Sequence, residues 1–259
     1  MIDRVPTLNK NTNKNDWFKY TFQDDYLYLY ADHDDGEAKD NINLAVEHVP
    51  YRTGQKILDI ACGTGRHLQA FAEKGAHING IDISDTMLMH ARNRFKKLQI
   101  PVRLENQDMR QIRYNKEFDG ITIWFTSFGY FTDSEQDRIV LQNIQKALKP
   151  DGWWWIDLVN PQDLINTLIP DTTRKIIGPN GNAHVKEKRC IKGNRVEKII
   201  EISDRSGKRT YAESVRLYTV EDFSKLLKDC GLTSTGILGD YSGGQFTSMS
   251  PRQIWYGEK

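Results

Sequence analysis

The chain has 259 residues, with 36 Lys or Arg against 35 Asp or Glu and a net charge of +1. That balance argues against a general nucleic-acid binder, which carries a basic excess. A mean hydropathy of −0.63 describes a soluble chain, and its 38% hydrophobic residues are enough for a real core. No run nears the ~20 apolar residues of a membrane span. The first residues, polar and rich in Asn and Lys, lack the apolar core of a signal peptide. The three cysteines, Cys62, Cys190 and Cys230, lie far apart and are odd in number. They suit a reducing, cytoplasmic setting and offer no metal-ligand spacing.

In chain order, residues 1–15 read as a loosely packed tail, followed by an aromatic stretch that includes Trp17, Phe18, Phe22, Tyr26 and Tyr30. Together, residues 1–35 form a tail and aromatic cap. A helix is predicted from Gly36 to His48, a strand over Lys56–Ile60, a helix over Thr64–Lys74 and a strand over His77–Ile81. Ser84 is placed to cap a helix running to Leu98. Strands follow at Val102–Asn106 and Phe118–Trp124, then a helix capped by Ser134 and running to Leu148, then a strand at Trp153–Leu158. Strict alternation of strand and helix implies a mostly parallel sheet covered on both faces, so residues 36–160 read as an α/β core.

The pattern then changes. A short helix begins at Asn160-Pro161, and Thr172–Tyr218 reads as β-hairpins with turns at Asn180-Gly181, Gly193-Asn194 and Ser206-Gly207. Residues 161–218 are therefore expected to form an antiparallel insertion that can serve as a lid. Within 170–216 basic residues outnumber acidic ones, which suits exposed strand edges; the sharper alternative is a lid that selects an anionic substrate. Thr219 to Asp222 is a capping box for a helix ending at Gly231, and two last strands within 219–259 complete the core.

The segment Ile57-Leu58-Asp59-Ile60-Ala61-Cys62-Gly63-Thr64-Gly65-Arg66-His67 reads as a buried strand, a glycine turn and the first turn of a helix. Glycines there let the backbone bend and approach a ligand. Asp82, nineteen residues beyond Gly63, ends the next strand, where a carboxylate can accept from ribose hydroxyls. The pair implies a nucleoside-bearing cofactor. A dinucleotide fingerprint would need a third glycine where Leu68 stands, so that reading fails. Asp59, Asp82, Asp108 and the 125–130 segment all fall at strand carboxyl ends, the ligand edge of such sheets.

This pattern resembles the first motif of class I S-adenosylmethionine (SAM)-dependent methyltransferases. The segment Phe125-Thr126-Ser127-Phe128-Gly129-Tyr130-Phe131 resembles a subgroup of bacterial enzymes acting on small molecules. The resemblance implies a Rossmann-like, seven-stranded sheet with one antiparallel strand at the end of the chain. It also implies SAM as cofactor and S-adenosylhomocysteine (SAH) as product. It assigns Asp59 and the backbone of Gly63 and Gly65 to the methionine part, Asp82 to the ribose, Ile83 to the adenine face, and Asp108 with Met109 to the adenine amino edge. Ala61 stands where a glycine is usual, which is tolerable if that position keeps ordinary backbone angles. Arg66 either pairs with the methionine carboxylate or is solvated. Phe125 and Ser127 would face the methyl-donor centre, and Tyr26, Tyr30, Phe125 and Tyr130 offer aromatic faces to a sulfonium, worth ~0.5–2 kcal/mol by cation–π attraction.

The reaction so implied is methyl transfer to N, O or C of a small-molecule acceptor. A hydroxyl or carbon acid would need a base; His184, Glu213 and Asp157 are the candidates, with Tyr130 a further catalytic candidate. The Asn/Asp-Pro-Pro-aromatic motif of many DNA base methylases is absent, since Phe125-Thr126-Ser127-Phe128 stands there. An RNA or protein methyltransferase and a non-catalytic SAM-binding protein stay open, as do monomer and homodimer; no metal is expected.

Overall fold

A computed structural model describes residues 16–31 and 34–259; the expected tail at 1–15 lies outside the described residues. Two short helices, α1 (Phe18–Thr21) and α2 (Asp24–Leu29), precede α3 (Asp35–His48). The alternating core follows: β1 (Lys56–Ile60), α4 (Arg66–Glu73), β2 (His77–Asp82), α5 (Asp85–Leu98), β3 (Arg103–Asn106), β4 (Phe118–Ile123), α6 (Ser134–Ala147) and β5 (Leu148–Val159). Next come α7 (Pro161–Thr167) and four strands, β6 (Asp171–Gly178), β7 (Gly181–Lys192), β8 (Arg195–Asp204) and β9 (Gly207–Arg216). The chain finishes with α8 (Val220–Asp229), β10 (Thr233–Leu238) and β11 (Arg252–Glu258).

Ser84 caps α5 as its position requires, its Oγ accepting from Met87 N at 3.2 Å. The cap of α6 is Asp133 rather than the expected Ser134: its Oδ1 accepts from Glu135 N at 3.0 Å, and Ser134 is the first helical residue. Two adjacent cap formers compete there, and the carboxylate wins at the positive helix end.

The main sheet runs β10-β11-β5-β4-β1-β2-β3. β1 to β5 pair in parallel, while β11 lies antiparallel to both β5 and β10. Its two faces divide the core. Leu58, Ile60, Ile121 and Trp154 pack on one side, and Ile57, Trp153 and Trp155 on the other. Each such side chain contributes ~1.5–3 kcal/mol by leaving water. Chain order reverses at β1, between β2 and β4, the switch point where a crevice opens beyond the strand ends.

The second sheet is the antiparallel meander β6-β7-β8-β9. All three connections are two-residue turns, at 179–180, 193–194 and 205–206. The first and third lie one residue earlier than expected, with Gly181 and Gly207 already in strands. Ala183, Val185, Ile200 and Ile202 on its inner face pack with Leu29. The cap residues 16–31 join the two sheets. Ser84 Oγ donates to Phe22 O at 2.6 Å on the core side, while Thr21 Oγ1 donates to Ala212 O at 2.9 Å on the meander side. Among the described residues no helix is long and apolar enough to cross a membrane.

Candidate active site

The turn after β1 is built from left-handed backbone. Ala61, Gly63 and Gly65 have φ of 58°, 54° and 79°. Ala61 therefore does not keep ordinary angles, and a left-handed non-glycine residue costs ~1–3 kcal/mol. The two glycines differ in purpose. A Cβ on Gly65 would sit 2.6 Å from Phe95 Cε2, so this glycine lets α4 close onto α5 and is not part of a cavity wall. A Cβ on Gly63 would meet nothing within 4 Å, and this residue lines both cavities described next. Gly63 N donates to Asp82 Oδ2 and Ser84 N to Asp82 Oδ1, each at 2.8 Å. Burial pushes the Asp82 carboxyl up, against the pull of those N–H donors.

Two connected spaces meet at this turn, sharing Phe22, Tyr26, Ala61, Gly63, Met87, Ser127 and Tyr130 in their walls. The smaller, about 90 Å³, brings together Asp82, Ile83, Asp108 and Met109 from the ends of β2 and β3. Gln107, in the same wall, holds a buried Oε1 with no hydrogen-bond partner. Asp108 is less available than expected. Arg110 grips both its oxygens, with Nε at 2.9 and 3.1 Å, and Asp108 Oδ1 also accepts from Arg110 N at 2.9 Å. Burial would raise this carboxyl, but the guanidinium outweighs it and holds it below the usual range.

The larger space, about 1280 Å³, runs from the glycine turn to the meander. Beyond β4, Phe125 and Thr126 both have positive φ, 49° and 62°. Asp157 holds them there: its Oδ2 accepts from Phe125 N and from Tyr241 OH, each at 2.7 Å, and its backbone O from Thr126 N at 3.0 Å. Arg252 of β11 donates to both Asp157 oxygens and, at 2.8 Å, to Thr126 Oγ1. Asp157 is thus fully buried with four donors on its carboxylate, and does not suit the role of a base that must accept a substrate proton.

The other expected base, His184, is exposed on the outer face of β7 and absent from both cavity walls, because its neighbours Ala183 and Val185 point inward. Asp59 is also walled off. Its Oδ1 accepts from Thr122 Oγ1 at 2.9 Å, and its buried Oδ2 has no partner. Burial pushes its carboxyl up to about 8, against the Thr122 bond. A neutral acid outside the cavity does not suit the expected contact with a methionine ammonium. Arg66 does line the larger space, with Nη1 3.3 Å from Asp34 O and 3.9 Å from Glu37 Oε2.

Glu213, Tyr30, Tyr26 and Tyr130 all face the larger space. Tyr30 OH donates to Glu213 Oε1 at 3.1 Å, and Lys198 Nζ lies 3.5 Å from Glu213 Oε2. Burial foremost, then the charge of Glu213, pushes the Tyr26 phenol well up. Burial does the same for Tyr130, aided by Glu213 and Asp82. Both phenols are therefore neutral hydrogen-bonding groups at ordinary pH.

A family model described as a methyltransferase domain matches residues 57–152, from β1 into β5. An amino-sugar N,N-dimethyltransferase of Streptomyces venezuelae is 31% identical over 46% of this chain and 50% of its own length. A second, from Streptomyces fradiae, is 26% identical over 82% of this chain and 83% of its own. A solved SAM-dependent methyltransferase from Clostridium acetobutylicum superposes with a TM-score of 0.76 at 22% identity, covering 90% of this chain and 94% of that one. Residues 57–152 thus match a methyltransferase domain, and the chain shares the fold of SAM-dependent methyltransferases.

Several residues of the site give no local sign in the sequence. Arg252 and Tyr241 come from the end of the chain, far from Asp157 in sequence. Lys198 and Arg189 face the cavity from the meander. Strand register carries their signal: Arg189 pairs with Lys198 across β7 and β8, and Lys198 with Glu213 across β8 and β9. Placing the β8–β9 turn one residue late shifts that register by two and hides the row.

Proposed function

We propose that this methyltransferase moves the SAM methyl group to an amino nitrogen of a small polar molecule, of the amino-sugar kind named for its Streptomyces relatives. The observation that carries this reading is the larger cavity. Its walls include the glycine turn, Tyr26 and Tyr130, and the charged inner face of the meander. Such relatives favour a small molecule over RNA or protein as acceptor. Three free cysteines suit a cytoplasmic setting.

The smaller cavity suits the adenosine part. It offers a carboxylate at the end of β2, a partnerless Gln107 oxygen for an amino group, and apolar walls at Ile83 and Met109. On this reading Asp82 takes the ribose hydroxyls, Gly63 leaves room for close approach, and Arg66 meets the methionine carboxylate. Bound SAM supplies an already activated methyl group. The protein's task is then to orient the acceptor, exclude water and provide for its proton. The four-stranded meander acts as the lid that does this.

Calorimetric titration with SAM, SAH and NAD tests the reading. Micromolar binding of the first two, with none of the third, is expected. Asp82→Ala should weaken SAM binding at least about tenfold, since a hydrogen bond to a charged group is worth ~1.5–3 kcal/mol. Unchanged binding in that variant would show the cofactor placement to be wrong.

A further inference from the structure

We infer that Glu213 is the carboxylate that receives the acceptor's ammonium group and takes its proton, so that this enzyme selects cationic amines. The inference rests on the methyl-transfer reading above and adds to it the charge of the acceptor and the residue that meets it.

Five carboxylates of the described residues line the two spaces: Asp35, Glu37, Asp82, Asp108 and Glu213. Asp35 is held by Arg94 at 2.7 Å and Asp108 by Arg110, whereas Glu37 and Glu213 have looser cationic partners, Arg66 at 3.9 Å and Lys198 at 3.5 Å. Asp82 accepts backbone N–H groups of the glycine turn and the α5 cap. Glu213 alone among them comes from the meander, facing the cofactor edge across Tyr26 and Tyr130. Both phenols feel its charge and that of Asp82, so the two carboxylates bracket them.

Glu213 shares its wall with Lys198 and Arg189, and its two oxygens are only partly engaged. One oxygen accepts from Tyr30 OH at 3.1 Å, and the other lies 3.5 Å from Lys198 Nζ. A carboxylate has about four lone-pair sites, so each oxygen retains capacity for a donor arriving from the cavity. Lys198 is shared: it also bonds the Tyr30 hydroxyl and lies 3.8 Å from Glu187. Tyr30 and Lys198 are positioning residues that fix the carboxylate's direction. Its side chain is 18% exposed, which strengthens its attraction for a cation relative to bulk water.

The chemistry balances. An ammonium acceptor gives one proton to Glu213, leaving a neutral amine and a neutral acid. The nitrogen lone pair then forms the N–C bond as the C–S bond breaks, with its electron pair left on sulfur. The products are a methylammonium, the thioether and protonated Glu213, which returns its proton to water.

Sinefungin tests this without knowledge of the natural acceptor, because an amine on carbon replaces the sulfonium methyl of SAM and so places a cation at the transfer point. Affinities for sinefungin and SAH are measured by calorimetry on the full-length enzyme and on Glu213→Gln, with melting curves confirming that the variant folds. The preference for sinefungin over SAH should fall about tenfold in Glu213→Gln, while SAH affinity stays within about twofold. Glu213→Asp, which keeps the charge, should retain most of the preference. An unchanged preference in Glu213→Gln, or a loss equally large for SAH, overturns the inference. If the wild type binds neither SAM nor SAH, the methyl-transfer reading itself fails; if it binds both and the preference does not move, only the role of Glu213 does.

Discussion

The glycine-turn edge and the meander face each other across one cavity and meet their buried carboxylates with different donors: backbone N–H groups at the edge, joined at Asp157 by Arg252 and Tyr241, and side chains in the meander. At the edge, Asp82 and Asp157 accept backbone N–H groups, of Gly63, Ser84 and Phe125, and so hold the chain in left-handed turns. In the meander, Glu187 is met by side chains: Arg189 at 2.7 Å, Arg174 at 3.3 Å and Lys198 at 3.8 Å. A backbone donor serves whatever side chain its residue carries, so the first arrangement fixes shape. A side-chain cation can be exchanged, so the second sets charge and leaves shape to the strands.

The strongest way to break this contrast is Asp157→Ala. It strands Arg252 beside two strained residues, and losing one partner of a buried ion pair costs ~3–5 kcal/mol. Urea unfolding should show that loss; a shift below about 1 kcal/mol would mean the edge does not depend on its carboxylate. A pair of variants sharpens the contrast through pH. Burial pushes Asp59 up to about 8, from an ordinary value of 3.8. The folded state keeps a proton that the unfolded chain has released, so stability relative to Asp59→Asn should fall as pH rises from 3.8 toward 8. Burial also raises Glu187, but Lys198 and the arginines outweigh it and hold it below its ordinary 4.5. Stability relative to Glu187→Gln should therefore be full above 4.5 and fall as pH drops through the lowered value. Urea midpoints across that range check both signs, and parallel responses would erase the distinction. The smallest effect is expected at Ala61→Gly. Relief of ~1–3 kcal/mol of left-handed strain is offset by ~0.5–1 kcal/mol of unfolded-chain entropy. A gain of about 1 kcal/mol in the same assay is the expected result, and a loss would contradict the strain assigned to that turn.

Much of the edge was legible in the sequence because each of its parts has few chemical solutions. β1 spans Lys56–Ile60 as its apolar run requires, Ser84 caps α5, and the spacing from Gly63 to Asp82 matches their 2.8 Å hydrogen bond. Other features were not. Nothing local shows that Gly65 serves Phe95, because that contact depends on how α5 packs. Arg252 reaches Asp157 only after β11 has paired with β5. Arg110 captures Asp108 because a tight helical turn brings a residue two positions on back over the carboxylate. In the meander, alternation identified the strands, but a one-residue error at a turn was enough to conceal which charges share a row.

That row bears on how such an enzyme can change over generations. Arg189, Lys198 and Glu213 lie side by side on three strands whose register is fixed by two-residue turns. Single substitutions within the row change the charge that faces the larger cavity and leave the smaller cavity at the glycine turn intact. Insertion of one residue into a strand would turn the following side chains to the opposite face and remove the row from the cavity. Exchange of residues in the row therefore alters its charge at small structural cost, whereas a change in hairpin length alters which side chains form it.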